Sequence, residues 1–292
     1  MTHFLDLTLT GVTDGAVYAA VALALVLIWR STRVVNFAQG GMAMATTFVA
    51  WDLVHHGHSY WLAALAAIGV GLVLGAAAER LLIRPVERAA PLNAVIVALG
   101  LLVLLQAGAG MIWGGQLRSY PSAFGIKGFK PFGHQLLFSP DDLFMVASVA
   151  AVMLLLVLLF RFTPLGLRMR AAAFAPEVSR LLGIRVGRLL TLGWALAAAV
   201  GAVAGILIAP TTFVGPSQFD PILVSGFTAA VIGGLDSPVG AVAGGITLGC
   251  ALSYVAGYVS TDIGAFAAFA VLITVLMLRP NGLFAGHAER RV

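Results

Sequence analysis

The sequence predicts an all-α polytopic membrane protein. Of its 292 residues, 60% are hydrophobic and only 10% are charged, whereas an ordinary soluble domain carries about 25% charged residues. Apolar runs recur from end to end, and many approach the 20 or so residues that cross a hydrocarbon core of about 30 Å. The basic residues fall between these runs. No stretch is left for a soluble domain, so we expect residues 1–292 to form a single transmembrane domain.

Nine apolar segments are predicted to form helices. They lie near residues 7–29, 37–54, 61–78, 92–112, 143–160, 189–209, 222–235, 239–258 and 264–278. The seventh and ninth are short, which is tolerated where protein or a cavity surrounds a segment. We therefore expect about eight to nine transmembrane or partly re-entrant helices.

Local signals mark where some of these helices begin and pack. A capping residue followed by proline precedes three helices, at Ser139-Pro140, Asp220-Pro221 and Ser237-Pro238. The first segment has a small-residue face at Gly11, Gly15 and Ala19. The second segment has a similar face, and small faces allow helices to approach closely, so these two segments are expected to pack together.

The basic residues predict the orientation in the membrane. When the loops are assigned alternately to two sides, Arg118, Lys127 and Lys130 fall on one side and the other fourteen of the seventeen basic residues on the other. The fourteen are Arg30, Arg33, Arg80, Arg84, Arg88, Arg161, Arg168, Arg170, Arg180, Arg185, Arg188, Arg279, Arg290 and Arg291. Because positively charged loops stay in the cytoplasm, the N-terminus is expected outside and the C-terminus in the cytoplasm.

Two loops are long enough to interact with partners. The outward loop, 114–139, is rich in Gly, Pro and Phe and either contacts a partner or caps the bundle. The cytoplasmic loop, 161–188, predicts a short helix that begins at Pro176 and stops at Gly183, with Val178, Leu181 and Leu182 on one face. That face fits equally well an interfacial helix resting in lipid or a knob inserted into a partner's groove.

Polar residues inside the apolar segments are few. If the chain is helical from residue 36, a small and polar face forms at Asn36, Gln39, Gly40, Ala43, Thr46, Thr47 and Ala50. This face serves either close helix packing or a path for a polar solute. Gln106 and Thr228 are further uncharged polar residues within segments, and Asp14 is the acid placed deepest within a segment. Self-powered transport, which needs an intramembrane ionisable residue or a broken-helix ion site, is therefore disfavoured.

Enzyme and nucleic-acid functions are not indicated. No H-E-x-x-H, G-x-S-x-G or G-x-x-x-x-G-K-[ST] motif occurs, so no catalytic residue is predicted, and any ATP would be used by another polypeptide. The cluster His55-His56-Gly57-His58 lacks nearby Cys or acid ligands and is interpreted as a polar turn, so no metal site is predicted. The arginines are scattered between apolar segments, which does not resemble a nucleic-acid surface.

Four ordered motifs carry a family resemblance. These are RVVNFAQGGMAM at 33–44, TPLGLRMRA followed by LLGIRVGR at 163–188, AVIGGLDSPVGAVAGGI at 230–246 and LRPNGLF at 278–284. In order and spacing they resemble the permeases of branched-chain amino-acid ABC importers, most of all the H-type membrane subunit. The resemblance covers essentially the whole chain.

The resemblance implies an ABC importer permease bundle that forms half of the translocation pathway for branched-chain or related hydrophobic amino acids. It implies a second homologous permease, two cytoplasmic ATPases that use ATP, and an extracytoplasmic solute-binding protein, all at a bacterial cytoplasmic (inner) membrane. No cofactor is expected on this chain itself, and membrane lipid surrounds it.

The resemblance also assigns roles to residues. A helix that couples the permease to the ATPases is implied at Pro176, Glu177, Val178, Leu181, Leu182 and Gly183. Translocation-pathway candidates are the matching residues Asn36, Phe37, Gln39 and Gly40, together with the polar residues Thr47, Gln106 and Thr228. Family members often carry an acid where this chain has Gly41.

Three alternatives stay open. One is an importer of the same class for urea, amides or other small solutes, because relatives of this class also move such compounds. Another is a channel or facilitator for a small polar solute that needs no motor. The third is a purely structural membrane subunit, which explains the amphipathic cytoplasmic helix less well.

Overall fold

The computed structural model describes residues 2–86, 91–125, 127–129, 138–279 and 282. In these residues the secondary structure is helical apart from one isolated β-bridge. The helices are α1 (Thr2–Thr32), α2 (Gln39–His55), α3 (Tyr60–Ala78), α4 (Pro91–Trp113), α5 (Pro140–Phe162), α6 (Pro164–Phe174), α7 (Pro176–Leu181), α8 (Val186–Thr212), α9 (Asp220–Gly233), α10 (Pro238–Tyr258) and α11 (Gly264–Leu278). The predicted all-α membrane fold is confirmed.

Each of the nine predicted segments coincides with a helix. Six helices, α1, α3, α4, α5, α8 and α10, are long and apolar enough to cross a membrane. The two segments predicted to be short are α9, with 14 residues, and α11, with 15. α3 continues past Ala78 through a π-helical turn, Glu79–Ile83, and a 3-10 turn, Arg84–Val86.

α1 and α8 form the centre of the bundle. In their apolar stretches 83% of the residues are buried within the chain, against 17% in α4 and α5. α2 is buried on nearly every side, including Met44 and Phe48, which do not belong to the small polar face. The central helices are rich in Ala and Gly, and the peripheral ones present Leu outward. This fits bundles in lipid, where small residues allow close helix contact.

The predicted pairing of the first two helices through small residues is wrong. The glycine face of α1 packs against α10, because α10 carries the complementary glycines Gly245 and Gly249. A Cβ added at Gly11 would lie 2.6 Å from the Cα of Cys250, and one added at Gly249 would collide with the backbone of Gly15. α2 instead packs mainly against α3 and α8.

Two of the three predicted helix caps are present. Ser139 and Asp142 form a reciprocal capping box at the start of α5, and the Ser237 hydroxyl accepts a hydrogen bond of 3.0 Å from the Gly240 N–H at the start of α10. Asp220 does not cap α9: it is the first helical residue, and its side chain makes no capping hydrogen bond. Its carboxylate is instead engaged by Gln106.

The loops that the sequence assigned to one side meet at one end of the bundle. Arg33 pairs with Asp236 at 2.5 Å, and Arg84 donates to the Gly187 carbonyl oxygen at 2.7 Å. We call this end, formed by loops 33–38, 163–185 and 234–237 with the turns at 79–86, the arginine-rich end. Parts of the predicted loops lie outside the described residues, namely residues 126 and 130–137 of the outward loop, Arg88, Lys130, Arg290, Arg291 and much of the final LRPNGLF motif.

Candidate functional site

A pair of short helices projects from the arginine-rich end. The Thr163 hydroxyl accepts a hydrogen bond of 3.1 Å from the Gly166 N–H and starts α6, which folds back onto α5 so closely that a Cβ at Gly166 would collide with the α5 backbone. α7 follows at Pro176, and Gly183, with φ of +79°, ends the turn after it. The predicted short helix is confirmed. α6 was not predicted, although Thr163-Pro164 is the same cap-plus-proline signal that marks α5 and α10.

The tip of this helix pair is apolar and uncovered. Phe174 is 94% exposed, Leu181 87%, Leu182 76% and Val178 55%. We call these four residues the coupling tip. Ser179 faces the protein and is buried, and its carbonyl oxygen accepts a hydrogen bond from Ile184, which holds the turn. Large apolar side chains grouped on a surface mark an interaction site.

Positive charge surrounds the coupling tip. Arg168, Arg185 and Arg188 line a crevice of about 480 Å³, together with Leu182, Gly183, Ile184 and Leu189. Leu182 therefore belongs both to the tip and to the basic crevice. An apolar knob beside a basic rim is suited to a groove that is apolar at its floor and acidic at its edge.

An ion pair with one buried partner supports α8 directly behind this loop. Glu79, which is 1% exposed, accepts hydrogen bonds from Arg84 at 3.1 and 2.9 Å. The same carboxylate accepts from the Thr191 hydroxyl at 2.7 Å, while Arg84 also donates to the Gly187 carbonyl oxygen. We call this group the Glu79–Arg84 clamp. It ties the π-helical end of α3 to the first turn of α8, which follows the coupling tip by a few residues.

Sequence reasoning missed this clamp. The available signal was an acid at the end of an apolar run, five residues before an arginine that precedes Pro85. A buried carboxylate needs a charged or hydrogen-bonding partner, so an acid at this position already indicates that another group must contact it. Thr191 and Gly187 are more than one hundred residues further along the chain, and the sequence does not show that they lie nearby.

The amides of the RVVNFAQGGMAM motif are bonded inside the chain. The Asn36 side-chain oxygen accepts from the Ala38 N–H at 3.0 Å, and its amide nitrogen donates to the Gln39 side-chain oxygen at 3.3 Å. The Gln39 amide nitrogen donates to the Ala197 carbonyl oxygen of α8 at 2.9 Å. Asn36 is 0% and Gln39 1% exposed. The motif therefore fastens the start of α2 to the middle of α8.

Glycines of α8 make room for this contact. A Cβ at Gly201 would collide with the Gln39 amide, and one at Gly205 would collide with the Thr47 hydroxyl. Thr47 is buried and donates to the Ala43 carbonyl oxygen at 2.8 Å within α2. Asn36, Gln39 and Thr47 thus lie along one seam between α2 and α8.

The other pathway candidates lie elsewhere. Phe37 contacts Phe227 of α9 with 6.2 Å between ring centroids, and the buried Thr228 hydroxyl donates to the Val224 carbonyl oxygen at 2.9 Å. Gln106 of α4 donates to both carboxylate oxygens of Asp220 at 2.9 and 3.1 Å. Gly40 packs against Leu223 of α9. The seven candidates therefore do not form one cluster, and their contact with solute stays a prediction.

The end opposite the arginine-rich end is held by the described part of loop 114–139. The Arg118 backbone bridges Val214 through hydrogen bonds of 2.9 and 2.8 Å, and its guanidinium lies 4.3 Å from the centroid of the Trp51 ring. Tyr120 is buried beside Tyr60, and burial raises the pKa of Tyr120 to about 12. The Tyr120 phenol is therefore neutral at physiological pH.

Comparisons with known proteins agree with this architecture. The family model described as "Branched-chain amino acid transport system / permease component" matches residues 7–278. The chain is 32% identical to the high-affinity branched-chain amino acid transport system permease protein LivH of Escherichia coli K12, over 99% of this chain and 98% of the relative. It is 28% identical to the corresponding protein BraD of Pseudomonas aeruginosa, over 99% and 98%.

A solved structure shows the fold alone. A chain of PsaBC from Streptococcus pneumoniae, in complex with a Fab, matches with a TM-score of 0.50 and 16% identity over 96% of this chain and 93% of that chain. Relatives at the identities above support a multi-pass, non-enzymatic transport subunit of the cytoplasmic (inner) membrane that works with other subunits. The chain belongs to the family of branched-chain amino acid transport system permease components and is a membrane permease subunit of an importer.

Proposed function

We propose that this permease is driven by ATP and forms half of the translocation pathway for branched-chain or related hydrophobic amino acids. The relatives LivH and BraD support this choice of solute, because both are branched-chain amino acid transport permeases and both match almost the whole chain. The coupling tip supports the motor and is the observation that carries the proposal. The chain has no G-x-x-x-x-G-K-[ST] motif, so the ATP is bound by partner subunits, and this chain binds no cofactor.

The shape of the coupling tip favours a protein groove over lipid. An interfacial helix separates a long apolar face from a basic face, and its binding scales with the apolar area it buries. α7 has only six residues, and Leu182 lies in the same crevice as Arg168 and Arg185. Such a compact apolar knob with a basic rim is suited to insertion into a cleft of a cytoplasmic ATPase.

The Glu79–Arg84 clamp gives the tip a mechanical connection to the bundle. A displacement of α7 moves Arg185 and Val186, where α8 begins, and the clamp joins that first turn to the end of α3. ATP-dependent closure of two motor subunits would then shift α8 and α3 together. Such coupling requires that the two states of the motor contact the tip with different free energy.

This mechanism requires a particular orientation of the permease in the membrane and particular partner proteins. The arginine-rich end faces the cytoplasm and two ATPases, the N-terminus is outside and the C-terminus is cytoplasmic, as the arginine distribution predicts. The opposite end, with loop 114–139, faces an extracytoplasmic solute-binding protein. A second homologous permease completes the pathway. The role of Asn36, Gln39 and Thr47 is to set α2 against α8, which shapes the pathway without requiring that these side chains touch solute.

The test is purification of the tagged permease from its native membrane at native expression, with mass spectrometry of the proteins recovered. We expect a second permease and P-loop ATPases. Reproducible recovery of the permease alone in mild detergent would contradict the ATP-driven mechanism and favour a motor-free channel.

The solute is tested with the recovered complex in liposomes that enclose ATP, with the cognate binding protein added outside. We expect uptake of labelled leucine that unlabelled isoleucine and valine suppress. Uptake of urea or acetamide in preference to leucine would contradict the solute while leaving the ATP-driven importer intact.

A further inference from the structure

We propose that a groove at the arginine-rich end binds one anionic phospholipid, with its phosphate on Arg30, Arg161 and Arg170 and an acyl chain along α1 and α5. The groove has a volume of about 290 Å³ and lies between α1, α5, α6 and the start of α10. Leu23 and Leu27 of α1 line its apolar part. The inference does not depend on which solute the permease imports.

The basic end of the groove carries excess positive charge. Arg30 and Arg161 lie in the last turns of α1 and α5, and Arg170 projects from α6. No acid is among the described residues that line the groove. Among the described carboxylates, that of Asp236 acts electrostatically on Arg30, and it pairs at 2.5 Å with Arg33. Three guanidinium groups therefore line this end of the groove, and the described carboxylate that acts on Arg30 is already paired with Arg33.

The remainder of the groove is suited to a hydrocarbon chain. Leu156, Val157 and Phe160 of α5 form one wall, and Val239 at the start of α10, which is 69% exposed, lies at the opposite edge. On the outer surface of α5 beside the groove, Leu154 and Leu155 are 56% and 65% exposed. Because this surface faces hydrocarbon in a membrane, an acyl chain enters the groove sideways without leaving the bilayer.

The combination selects an amphipathic anion. A soluble phosphate would use the arginines and leave the apolar walls uncovered, and a zwitterionic lipid would cover the walls but place its own cationic group beside the arginines. A lipid with a net negative headgroup satisfies both ends of the groove. Basic pockets between membrane helices at the cytoplasmic side recognise anionic headgroups in this way.

The experiment measures lipid retention by native mass spectrometry of the full permease with its co-purifying subunits. The complex is delipidated and titrated with dioleoyl phosphatidylglycerol or with dioleoyl phosphatidylcholine, which share their acyl chains and differ in the structure and net charge of the headgroup. We expect tight binding of one phosphatidylglycerol and weaker, non-saturating binding of phosphatidylcholine. Equal retention of both lipids would overturn the proposal.

Charge variants locate the site. In the double variant Arg161→Gln with Arg170→Gln we expect phosphatidylglycerol affinity to fall about fivefold for each arginine removed. Arg168→Gln removes one charge from α6, the helix that also carries Arg170, but lies in the separate crevice beside the coupling tip, so it should leave the affinity unchanged. An equal loss in the Arg168 variant would overturn the site.

A shape variant separates the groove from general charge. Val157→Trp fills the apolar part and keeps every arginine, so we expect loss of the bound lipid, whereas Leu154→Trp on the exposed surface of the same helix should retain it. Glycerol 3-phosphate is added as a competitor. If this headgroup alone displaces the lipid at concentrations like those of the lipid, the arginines bind a soluble anion. If the lipid binds only after the partner subunits are removed, the groove is a protein interface. Either result overturns the proposal.

Discussion

The start of α2 and the coupling tip invert the usual placement of polar and apolar side chains. Asn36 and Gln39 are 0% and 1% exposed, whereas Leu181 and Leu182 are 87% and 76% exposed. The difference lies in where each group finds its partner. The amides bond to each other and to the Ala197 carbonyl oxygen within the chain, but the leucines contact little of it. The α2 motif is therefore explained by this fold, while the exposed tip is explained, under the proposed function, by a second protein.

The largest expected effect is at the tip. Leu181→Asp or Leu182→Asp should reduce uptake and retention of the ATPase subunits about 30-fold, since loss of an interface hot spot costs at least 2 kcal/mol or so. The permease should still insert and melt normally, because these side chains are exposed. The assay is uptake in cells together with recovery of ATPases on the tagged permease.

Glu177→Gln is the control for the tip. Glu177 is exposed on the same helix, and its replacement removes a charge but no apolar surface. We expect nearly normal uptake and ATPase recovery. Normal ATPase recovery in the Leu181 and Leu182 variants would contradict the assignment of the tip.

The Glu79–Arg84 clamp tests whether a buried charge depends on its partner more than an exposed one does, because its two members differ in exposure. Arg84→Ala leaves the buried Glu79 carboxylate without its cation and should lower the free energy of unfolding by about 2 to 3 kcal/mol. Glu79→Gln should cost about 1 kcal/mol, since the Arg84 side chain is 36% exposed and still reaches water. Thermal unfolding in detergent measures both. A larger loss for Glu79→Gln than for Arg84→Ala would show that the carboxylate is not the dominant buried charge.

A smaller effect is expected at the α2 motif. Gln39→Leu should lower the free energy of unfolding by about 1 kcal/mol, the scale of an interhelical hydrogen bond in a membrane bundle, because it removes the bond to Ala197. Asn36→Leu should behave similarly, and uptake should fall in parallel with the melting temperature in both. Thr247→Val, at an exposed position whose hydroxyl bonds only within α10, is the control. Reduced uptake at an unchanged melting temperature would instead show that the amides act on the solute.

Hydropathy and capping signals predicted where the apolar helices lie, although the short helix α6 was missed. All nine apolar segments are helical, and Ser139 and Ser237 cap as predicted. Asp220 is not a cap because the helix begins at this residue, and Gln106, on another helix, engages its carboxylate. Local patterns describe local hydrogen bonds well, but a distant side chain that competes for the same group is invisible to them.

Packing partners were harder to predict, for a reason specific to membranes. Apolar residues face both the protein interior and the lipid, so hydropathy does not separate buried α1 from the more exposed α3. The α1–α10 contact depends on glycines that are more than two hundred residues apart. For the same reason the sequence did not identify Phe174 as part of the tip. An exposed aromatic residue within a helix cannot be distinguished from a membrane-facing residue until the fold is known.

The smallest expected effect is at the Arg33–Asp236 pair, which lies at the same end as the tip. Its side chains are 60% and 62% exposed, so Arg33→Gln or Asp236→Asn should change the free energy of unfolding by about 0.5 kcal/mol or less, and added salt should abolish even that. Thermal unfolding at low and high ionic strength measures it. A loss above about 2 kcal/mol would show that charges at this end hold the bundle together. A small loss together with the large effect of Arg84→Ala would mean that only a charge facing a buried partner stabilises the chain, and that the exposed arginines at this end are free to serve orientation, lipid and partner proteins.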